Sequence, residues 1–275
     1  MKKIGHTGTL DPEAVGVLPV CFGSGTKLCD MLTDWDKEYI AVMRLGIVTD
    51  TQDMTGQILS ECGKEQMRGL SEEQIRAAIM SFVGDYDQIP PMYSALKFEG
   101  KKLYELAREG KEIPRKPRRV RIEEIEIRSV DLPCVELRVV CSKGTYIRTL
   151  CHDIGAKLGS GAVMQSLTRS RVGTFRVEDA LTLSELEKLQ EENKISDVIV
   201  TPDIIFSGEK AVTVNEQGRK LVQNGNRLDE AHFAAAEMLA DGEQVRVYDS
   251  GGKFYGIYGY CEAEKALRPV KMFLT

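Results

Sequence analysis

Long apolar runs are missing from this sequence. Its 275 residues contain no uninterrupted apolar stretch of about 18 residues, the length that indicates a membrane-spanning helix. The first residues also lack the succession of charged, apolar and small residues that marks a secretory leader. We therefore expect a cytoplasmic protein that has no membrane partner.

Residues that bind metals in pairs are scarce as well. The seven cysteines are scattered without any Cys-x-x-Cys pair, and only three histidines are present. An odd number of dispersed cysteines is typical of reduced intracellular thiols, and zinc sites need clustered cysteine or histidine ligands. The sequence therefore predicts no metal site.

A surplus of positive charge is absent, since the formal net charge is −5. A nucleic-acid partner would therefore need a local basic surface. One segment offers such a surface, because residues 97–121 contain ten basic and four acidic side chains, and Tyr93, Phe98 and Tyr104 lie in or beside it. This basic segment is either a solvated face or a surface that follows phosphates while its aromatic rings stack on bases.

Prolines bound the region in which the basic segment begins. Residues 88–117 have Pro90 and Pro91 near one end and Pro114 and Pro117 near the other. This spacing predicts a long excursion from the core of the fold. Such excursions often carry function.

The hydrophobic patterning predicts an α+β fold. Period-two alternation indicates strands over 118–129 and 134–141, with a bulge near Glu123 and Glu124. Capping signals and apolar residues at helical spacing indicate several helices. The other predicted elements are a strand over 38–46, a strand from Gln57, a helix after the capping box Ser71–Gln74, a helix ending at Leu158 before Gly159, and helices over 182–190 and near 216–223.

The spacing of apolar runs and turn residues changes near residue 207. Beyond that point, short apolar runs alternate with glycine and aspartate turns, which predicts a small, mostly β domain over 207–275. Residues 1–206 then form the larger domain, and residues 88–117 are an insertion within it.

The stretch from Gly5 to Pro12 concentrates two glycines, a histidine, two threonines and one carboxylate ahead of a proline. Asp11 has two interpretations. It is the N-cap of a short helix with Pro12 at the first helical position, or it is a carboxylate held at the tip of a rigid turn. Local spacing alone favours the helix cap.

Two distant pieces complete a pattern with Asp11. Tyr39 opens a strand, and Lys143–Thr149 lies at a strand-to-helix junction. Arg148 lies off the apolar stripe of that helix, where an arginine is usually solvated. Together these segments resemble the TruB family of tRNA pseudouridine-55 synthases over nearly the whole chain. The matching segments are residues 5–12, 37–39, 45–46, 49–51, 91–97, 100–104, 141–150 and 172–175.

The resemblance implies a mixed, largely antiparallel sheet flanked by helices, followed by a small PUA-like β domain. It also implies an enzyme that isomerises one uridine of the tRNA T loop, at position 55, to pseudouridine. Such enzymes break the N1–C1′ bond and rejoin the base through C5 without a metal or organic cofactor. The expected partner is the T arm of tRNA, and we expect a monomer.

The resemblance also implies roles for individual residues. Asp11 matches the catalytic aspartate, which acts as a nucleophile or in removing a sugar proton. Arg148 matches the arginine that pairs with it, and Tyr39 the tyrosine that stacks on the target base. The other matches are a second pocket tyrosine at Tyr146, a pocket-lining leucine at Leu167, a residue that fills the space of the flipped nucleotide at His6, and RNA-contacting residues at Lys97, Lys101, Lys102, Arg115, Lys116 and Arg118.

The sequence departs from the family pattern in two places. Family members carry an opening strand and a Lys-Pro loop before the Gly-His-Thr-Gly motif, and only residues 1–4 precede the motif here. A second basic residue is also expected at the position of Thr168. The alternative functions are a non-catalytic tRNA-binding or folding protein, if the shortened start abolishes activity, and an unrelated hydrolase. A retaining glycosidase would need a second carboxylate about 5 Å away, and no partner is apparent in the motif.

Overall fold

A seven-stranded sheet organises the first of two compact units in this computed structural model, which describes residues 3–235 and 237–274. The first unit comprises Thr7–Pro19 and Met31–Ala180. The second comprises the residues up to His6, Val20–Asp30, and the residues from Leu181 onward. Each unit has its own sheet and its own hydrophobic core.

The central sheet of the first unit is mixed and largely antiparallel. Val15–Gly16 pairs in parallel with Ala162–Val172, and all the other pairings are antiparallel. This arrangement confirms the predicted α+β class. In spatial order the remaining strands are Phe175–Arg176, Ala162–Val172, Lys37–Leu45, Cys134–Cys141, Arg118–Asp131 and Gly84–Gln88.

Alternation along the strands explains which face of the sheet is buried. Val135, Leu137 and Val139 are fully buried, and the core that they help to form includes residues of two helices, Glu72–Met80 and Ile147–Leu158. The first helix begins with the predicted capping box, in which the side chains of Ser71 and Gln74 bond to each other's backbone N–H groups. The second ends at Gly159, whose φ of 72° is left-handed and therefore favours glycine.

The predicted bulge in the long strand is present. The register of Arg118–Asp131 against Cys134–Cys141 shifts between Ile122 and Glu124. A bulge reverses the side of the sheet on which the following residues lie, which explains the change of phase in the apolar pattern.

The first unit also contains short elements around the sheet. Residues 12–13 form a turn, and no helix begins at Pro12. The helix-cap interpretation of Asp11 is therefore wrong. The other elements of this unit are the strands Ile47–Thr49, Ile58–Glu61, Lys97–Phe98 and Lys101–Lys102, the helices Lys64–Arg68 and Leu103–Arg108, and a 3-10 turn at Val177–Asp179. The helix Cys29–Asp34 crosses the boundary between the units.

The second unit contains a six-stranded sheet and a small core that includes Val212, Val247 and Tyr258. Its strands in spatial order are Leu228–Asp229, Ala266–Met272, Phe254–Cys261, Gln244–Asp249, Lys210–Val214 and Phe233–Ala235. The separate pair Ile4–His6 and Val20–Phe22, the helices Leu183–Glu191, Pro202–Ile205 and Glu216–Val222, and the 3-10 segments Gly23–Leu28, Ile195–Val198, Glu230–His232 and Glu262–Glu264 complete this unit. Among the described residues, no helix is long and apolar enough to cross a membrane.

Candidate active site

Arg148 is buried at the start of helix Ile147–Leu158 and binds Asp11. Its side chain is 6% exposed, whereas that of Asp11 is 33% exposed. Nη2 donates a hydrogen bond of 2.9 Å to Oδ1, and Nε lies 2.8 Å from Oδ2 without the alignment of a hydrogen bond. The guanidinium therefore meets both oxygens of the carboxylate side by side, which restricts the orientation of Asp11. The alternative of a solvated Arg148 is wrong.

Three further acceptors hold the same guanidinium. Nη1 donates to the carbonyl oxygen of Thr51 at 3.2 Å and to Oδ2 of Asp53 at 3.4 Å. Nη2 also donates to the carbonyl oxygen of Tyr93 at 2.9 Å. Arg148 thus lies between two carboxylates, Asp11 and Asp53, with main-chain oxygens completing its partners. A side chain held by this many acceptors is well suited to fixing the position of a reacting group.

Asp53 is itself held by its own turn. Its Oδ1 accepts hydrogen bonds of 2.6 Å from the hydroxyls of Thr51 and Thr55 and one of 3.0 Å from the backbone N–H of Thr55. The neighbouring Gln52 has a left-handed φ of 65° and accepts a hydrogen bond from Thr149. This turn therefore attaches the second carboxylate to the helix that carries Arg148.

Burial sets the ionisation of Asp11. Loss of water raises the pKa of this carboxyl above its ordinary value, and the charge of Asp53 raises it further. The charge of Arg148 and its hydrogen bond lower the pKa, but not enough to cancel the effect of burial. The structure therefore holds a carboxylate that is a stronger base than an ordinary aspartate.

Asp11 lies in the loop Thr7–Pro19, which folds back on itself. The backbone N–H of Thr7 donates to the carbonyl oxygen of Pro19 at 3.3 Å, and that of Ala14 donates to the carbonyl oxygen of Asp11 at 2.9 Å. The first bond closes the loop and the second makes the turn at Asp11. The carboxylate is thus presented by a closed loop whose ends meet.

Tyr39 and Leu167 lie on neighbouring strands beside this loop. Leu167 is buried in the hydrophobic core, and Tyr39 packs against that core from a half-buried position. Burial is the main cause that raises the pKa of the Tyr39 hydroxyl to about 12, and the negative charge of Asp11 acts in the same direction. Tyr39 therefore stays neutral at physiological pH, and the charge of Asp11 contributes to the raised pKa of its hydroxyl.

Tyr146 precedes the Arg148 helix, and its backbone is held by a buried glutamine. Gln88 is 1% exposed; its Oε1 accepts from the N–H of Tyr146 at 2.8 Å, and its Nε2 donates to the carbonyl oxygen of Tyr146 at 3.0 Å. Burial raises the pKa of the Tyr146 hydroxyl, while hydrogen bonding to Ser94 and the charges of Arg118 and Arg148 lower it. The structure thus brings Tyr146 into the same electrostatic surroundings as Asp11.

The remaining predicted site residues belong to other elements of the fold. His6 ends the strand Ile4–His6, which belongs to the second unit. Four of the six predicted RNA-contacting side chains are exposed and two are half-buried. The exposed ones are Lys97, Lys101, Lys116 and Arg118, and the half-buried ones are Lys102 and Arg115.

Comparison with known proteins identifies the family. The model of the TruB family pseudouridylate synthase N-terminal domain matches residues 1–147, and that of the tRNA pseudouridylate synthase B C-terminal domain matches residues 148–212. The chain belongs to the TruB family of pseudouridine synthases.

Curated relatives support the TruB assignment along the whole chain. The tRNA pseudouridine synthase B of Lachnoclostridium phytofermentans is 48% identical over 99% of this chain and 91% of its own length. That of Clostridium acetobutylicum is 45% identical over 95% and 87%, and that of Clostridium tetani is 43% identical over 94% and 86%.

Solved structures share the TruB fold. A chain of a Cbf5–Nop10–Gar1 complex is 25% identical, with a TM-score of 0.67, and the match covers all of this chain and 77% of the other. A chain of an H/ACA RNP bound to a substrate RNA containing 2'-deoxyuridine is 24% identical, with a TM-score of 0.68 and the same coverage. These likenesses agree with the observed mixed sheet and its flanking helices.

Sequence reasoning missed three residues in or beside the candidate site: the half-buried Asp53 and the buried Gln88 and Arg169. Asp53 lies in a turn-rich stretch that gave a usable signal, because a carboxylate between threonines is typical of a side-chain-stabilised turn. Gln88 and Arg169 gave no local signal.

Among the described residues, no group of three histidine, cysteine or acidic side chains could hold a metal ion.

Proposed function

We propose that this TruB-family enzyme converts the uridine at position 55, in the T loop of tRNA, into pseudouridine without a cofactor, and that Asp11 is its catalytic residue. The observation that carries the proposal is the side-by-side contact of the buried Arg148 with both carboxylate oxygens of Asp11. The relatives named tRNA pseudouridine synthase B support tRNA as the substrate.

The reaction is an isomerisation, so no atoms enter or leave overall. The N1–C1′ bond breaks, the base turns, and a C5–C1′ bond forms; the proton on C5 is lost and N1 gains one. Asp11 takes part either by attacking the sugar or by removing a proton from it. Both roles need the ionised carboxylate, and Arg148 favours that form in a site where burial disfavours it.

A uridine in a folded loop must leave its stack before Asp11 can reach it. Extruding a base takes a few kcal/mol, and stacking on an aromatic ring returns about 1–3 kcal/mol. We assign this stacking to Tyr39, and we place Tyr146 and Leu167 in the wall of the base pocket. In the same scheme, His6 fills the space that the nucleotide leaves in the RNA.

We also propose that the insertion 88–117 and the C-terminal residues 207–275, as a PUA-like domain, hold the tRNA. Lys116 and Arg118 are exposed and take part in no ion pair among the described residues, so they are available to phosphates. Lys97 is likewise exposed, whereas Lys101 binds Glu109, Lys102 lies beside Tyr104, and Arg115 binds Glu112. Recognition by backbone and shape suits this set of cations.

Tritium release from a tRNA transcript that carries 5-labelled uridine tests the proposal. The wild-type protein should release tritium from a transcript labelled at position 55, and a transcript with cytidine at that position should release none from the T loop. Asp11→Ala should bind the tRNA but release nothing. Binding without release by the wild-type protein would instead indicate a tRNA-binding protein without activity, and unchanged release by Asp11→Ala would remove Asp11 from the mechanism.

A further inference from the structure

Arg169 is a buried cation in the central sheet of the first unit. It lies in the strand Ala162–Val172 with 2% of its surface exposed, and no ion pair of the described residues includes it. Buried arginines are normally paired with an acidic group. This one instead donates from Nε to the carbonyl oxygen of Val17 at 2.8 Å and from Nη2 to that of Gly8 at 3.1 Å.

These two carbonyl groups lie near opposite ends of the loop Thr7–Pro19. Gly8 lies just after its start and Val17 just before its end, with Asp11 between them. The backbone of Arg169 adds a third link, because its carbonyl oxygen accepts a hydrogen bond of 2.9 Å from the N–H of Val17. A single residue of the central sheet therefore binds both ends of the loop that contains Asp11.

Glycine at position 16 makes this close approach possible. A Cβ atom there would lie 2.2 Å from the carbonyl oxygen of Arg169, and the φ of Gly16, 119°, is one that other residues rarely adopt. Val15–Gly16 consequently runs alongside Thr168 and Arg169 as a short parallel pair. The C-terminal end of the loop thus pairs directly with the strand that contains Arg169.

Arg169 also faces the tyrosine of the site. It is the direct cross-strand neighbour of Tyr39 in the pairing of Ala162–Val172 with Lys37–Leu45. The positive charge of its guanidinium opposes the rise in the pKa of the Tyr39 hydroxyl. The same residue therefore binds the loop of Asp11 and lies opposite the tyrosine assigned to base stacking.

We propose that Arg169 is a positioning residue for the isomerisation. By binding both ends of the loop Thr7–Pro19 to the strand opposite Tyr39, it sets the position of Asp11 relative to the base. This inference rests on the proposed function. A planar guanidinium can donate from separate nitrogens to two acceptors at once, whereas a lysine ammonium is a single point donor on a flexible stem.

Arg169→Lys tests the proposal while the positive charge is kept. The single-turnover rate of tritium release should fall about 30-fold, because a shift of about 1 Å in a reacting group can reduce a rate by roughly 100-fold. The dissociation constant for tRNA should stay within about threefold, because no phosphate contact is removed. Arg138→Lys is the matched control: Arg138 lies in the strand Cys134–Cys141 of the same sheet and binds Glu38, Glu124 and Glu126, and the rate of this variant should be unchanged. An unchanged rate in Arg169→Lys overturns the proposal, as does a loss of rate that merely follows a loss of tRNA binding.

Amide hydrogen exchange tests the same proposal without relying on activity. In the wild-type protein, the amides of Thr7 and Val17 should exchange as slowly as those of the strand Cys134–Cys141, because hydrogen bonds hold both ends of the loop in place. In Arg169→Lys these two amides should exchange at least about tenfold faster, with the strand unchanged. Exchange of the wild-type amides at the rate of exposed turns overturns the proposal even if the variant fails to fold. Protected amides in a protein that releases no tritium would leave the fastened loop in place and refute the proposed function instead.

Discussion

The loop Thr7–Pro19 and the basic segment 97–121 both contain charges that we assign to function, but the two regions hold those charges differently. In the loop, one carboxylate meets a buried guanidinium whose two terminal nitrogens donate to defined acceptors. In the basic segment the cations are mostly exposed, and several bind nearby acidic residues. Buried charges act strongly over short distances, whereas exposed ones are screened by water and salt. Chemistry should therefore depend on single residues in the loop, and tRNA binding on many residues of the segment.

Removing the charge of Asp11 should have the largest effect. Asp11→Asn keeps the size of the side chain but removes the base or nucleophile, and we expect the single-turnover rate to fall by roughly 1,000-fold or more, since acid–base roles alone contribute on the order of 100- to 10,000-fold. The dissociation constant for tRNA should be unchanged. Asp34→Asn is the control, because Asp34 is exposed and forms a surface ion pair with Lys143. Weakened tRNA binding in Asp11→Asn would contradict the separation of the two regions.

Arg148→Lys should lower the same rate by about 100-fold, comparable to the loss of one preorganised donor in other active sites. Lysine keeps the charge but cannot meet both oxygens of Asp11 side by side. The measurement is single-turnover tritium release, with Arg138→Lys in the central sheet as the control. A rate within a few-fold of wild type would mean that charge alone, without orientation, suffices at this position.

The dependence of the rate on pH should report the raised pKa of Asp11. Below that pKa the required carboxylate is protonated, so the rate should fall about tenfold for each unit of pH. Because burial raises the pKa, this decline should begin at a higher pH than for an ordinary aspartate. In Arg148→Gln the lowering influence of the guanidinium is lost, so the decline should move to still higher pH. A shift to lower pH in that variant would refute the assigned cause.

Gln88→Met should have a smaller effect on the rate and a measurable effect on stability. The backbone N–H and carbonyl groups of Tyr146 would lose their buried partners, and each unsatisfied group destabilises by about 1–3 kcal/mol. Urea unfolding measures the stability, and we expect about a tenfold loss of rate because the start of the Arg148 helix is no longer fixed. Full stability with a wild-type rate would show that water replaces the amide at no cost.

Single substitutions in the basic segment should have the smallest effects. Arg118→Ala should weaken tRNA binding a few-fold and lower the salt dependence by about 0.7–0.9 in the logarithmic slope, as expected for one phosphate contact. The neighbouring Arg119→Ala is the matched control, because Arg119 already binds Asp85 and Asp87. The rate at saturating tRNA should not change in either variant. Equal slopes for both variants would show that the ion pairs do not decide which cations are available.

Local patterns were sufficient for most of the fold. The capping box at Ser71, the glycine stop at Gly159 and the bulge between Ile122 and Glu124 all depend on neighbours in the chain or across one hairpin. Such signals are present in a short window of sequence. The turn at Asp11 was harder, because the Asp-Pro pair also suits a helix start and only contacts with distant strands decide between them.

The candidate site could be found only through the resemblance to the TruB family, because its contacts join distant parts of the chain. Arg148 lies off the apolar stripe of its helix, and its burial depends on acceptors in three separate segments. Arg169 stands in a strand with other polar residues, and its acceptors lie at the other end of the first unit's sequence. No periodicity in a single element predicts such partners.

The place of Arg148 at the beginning of a helix has an electrostatic consequence. The first turn of a helix carries the positive end of the backbone dipole, where an added cation is unfavourable by about 0.3–1 kcal/mol, and the first turn of Ile147–Leu158 contains no acidic residue of its own. Asp11 and Asp53 supply that negative charge from outside the helix. In the proposed mechanism Asp11 loses its charge in either of its two roles, and Asp53 then still balances the charge of Arg148 at the helix end.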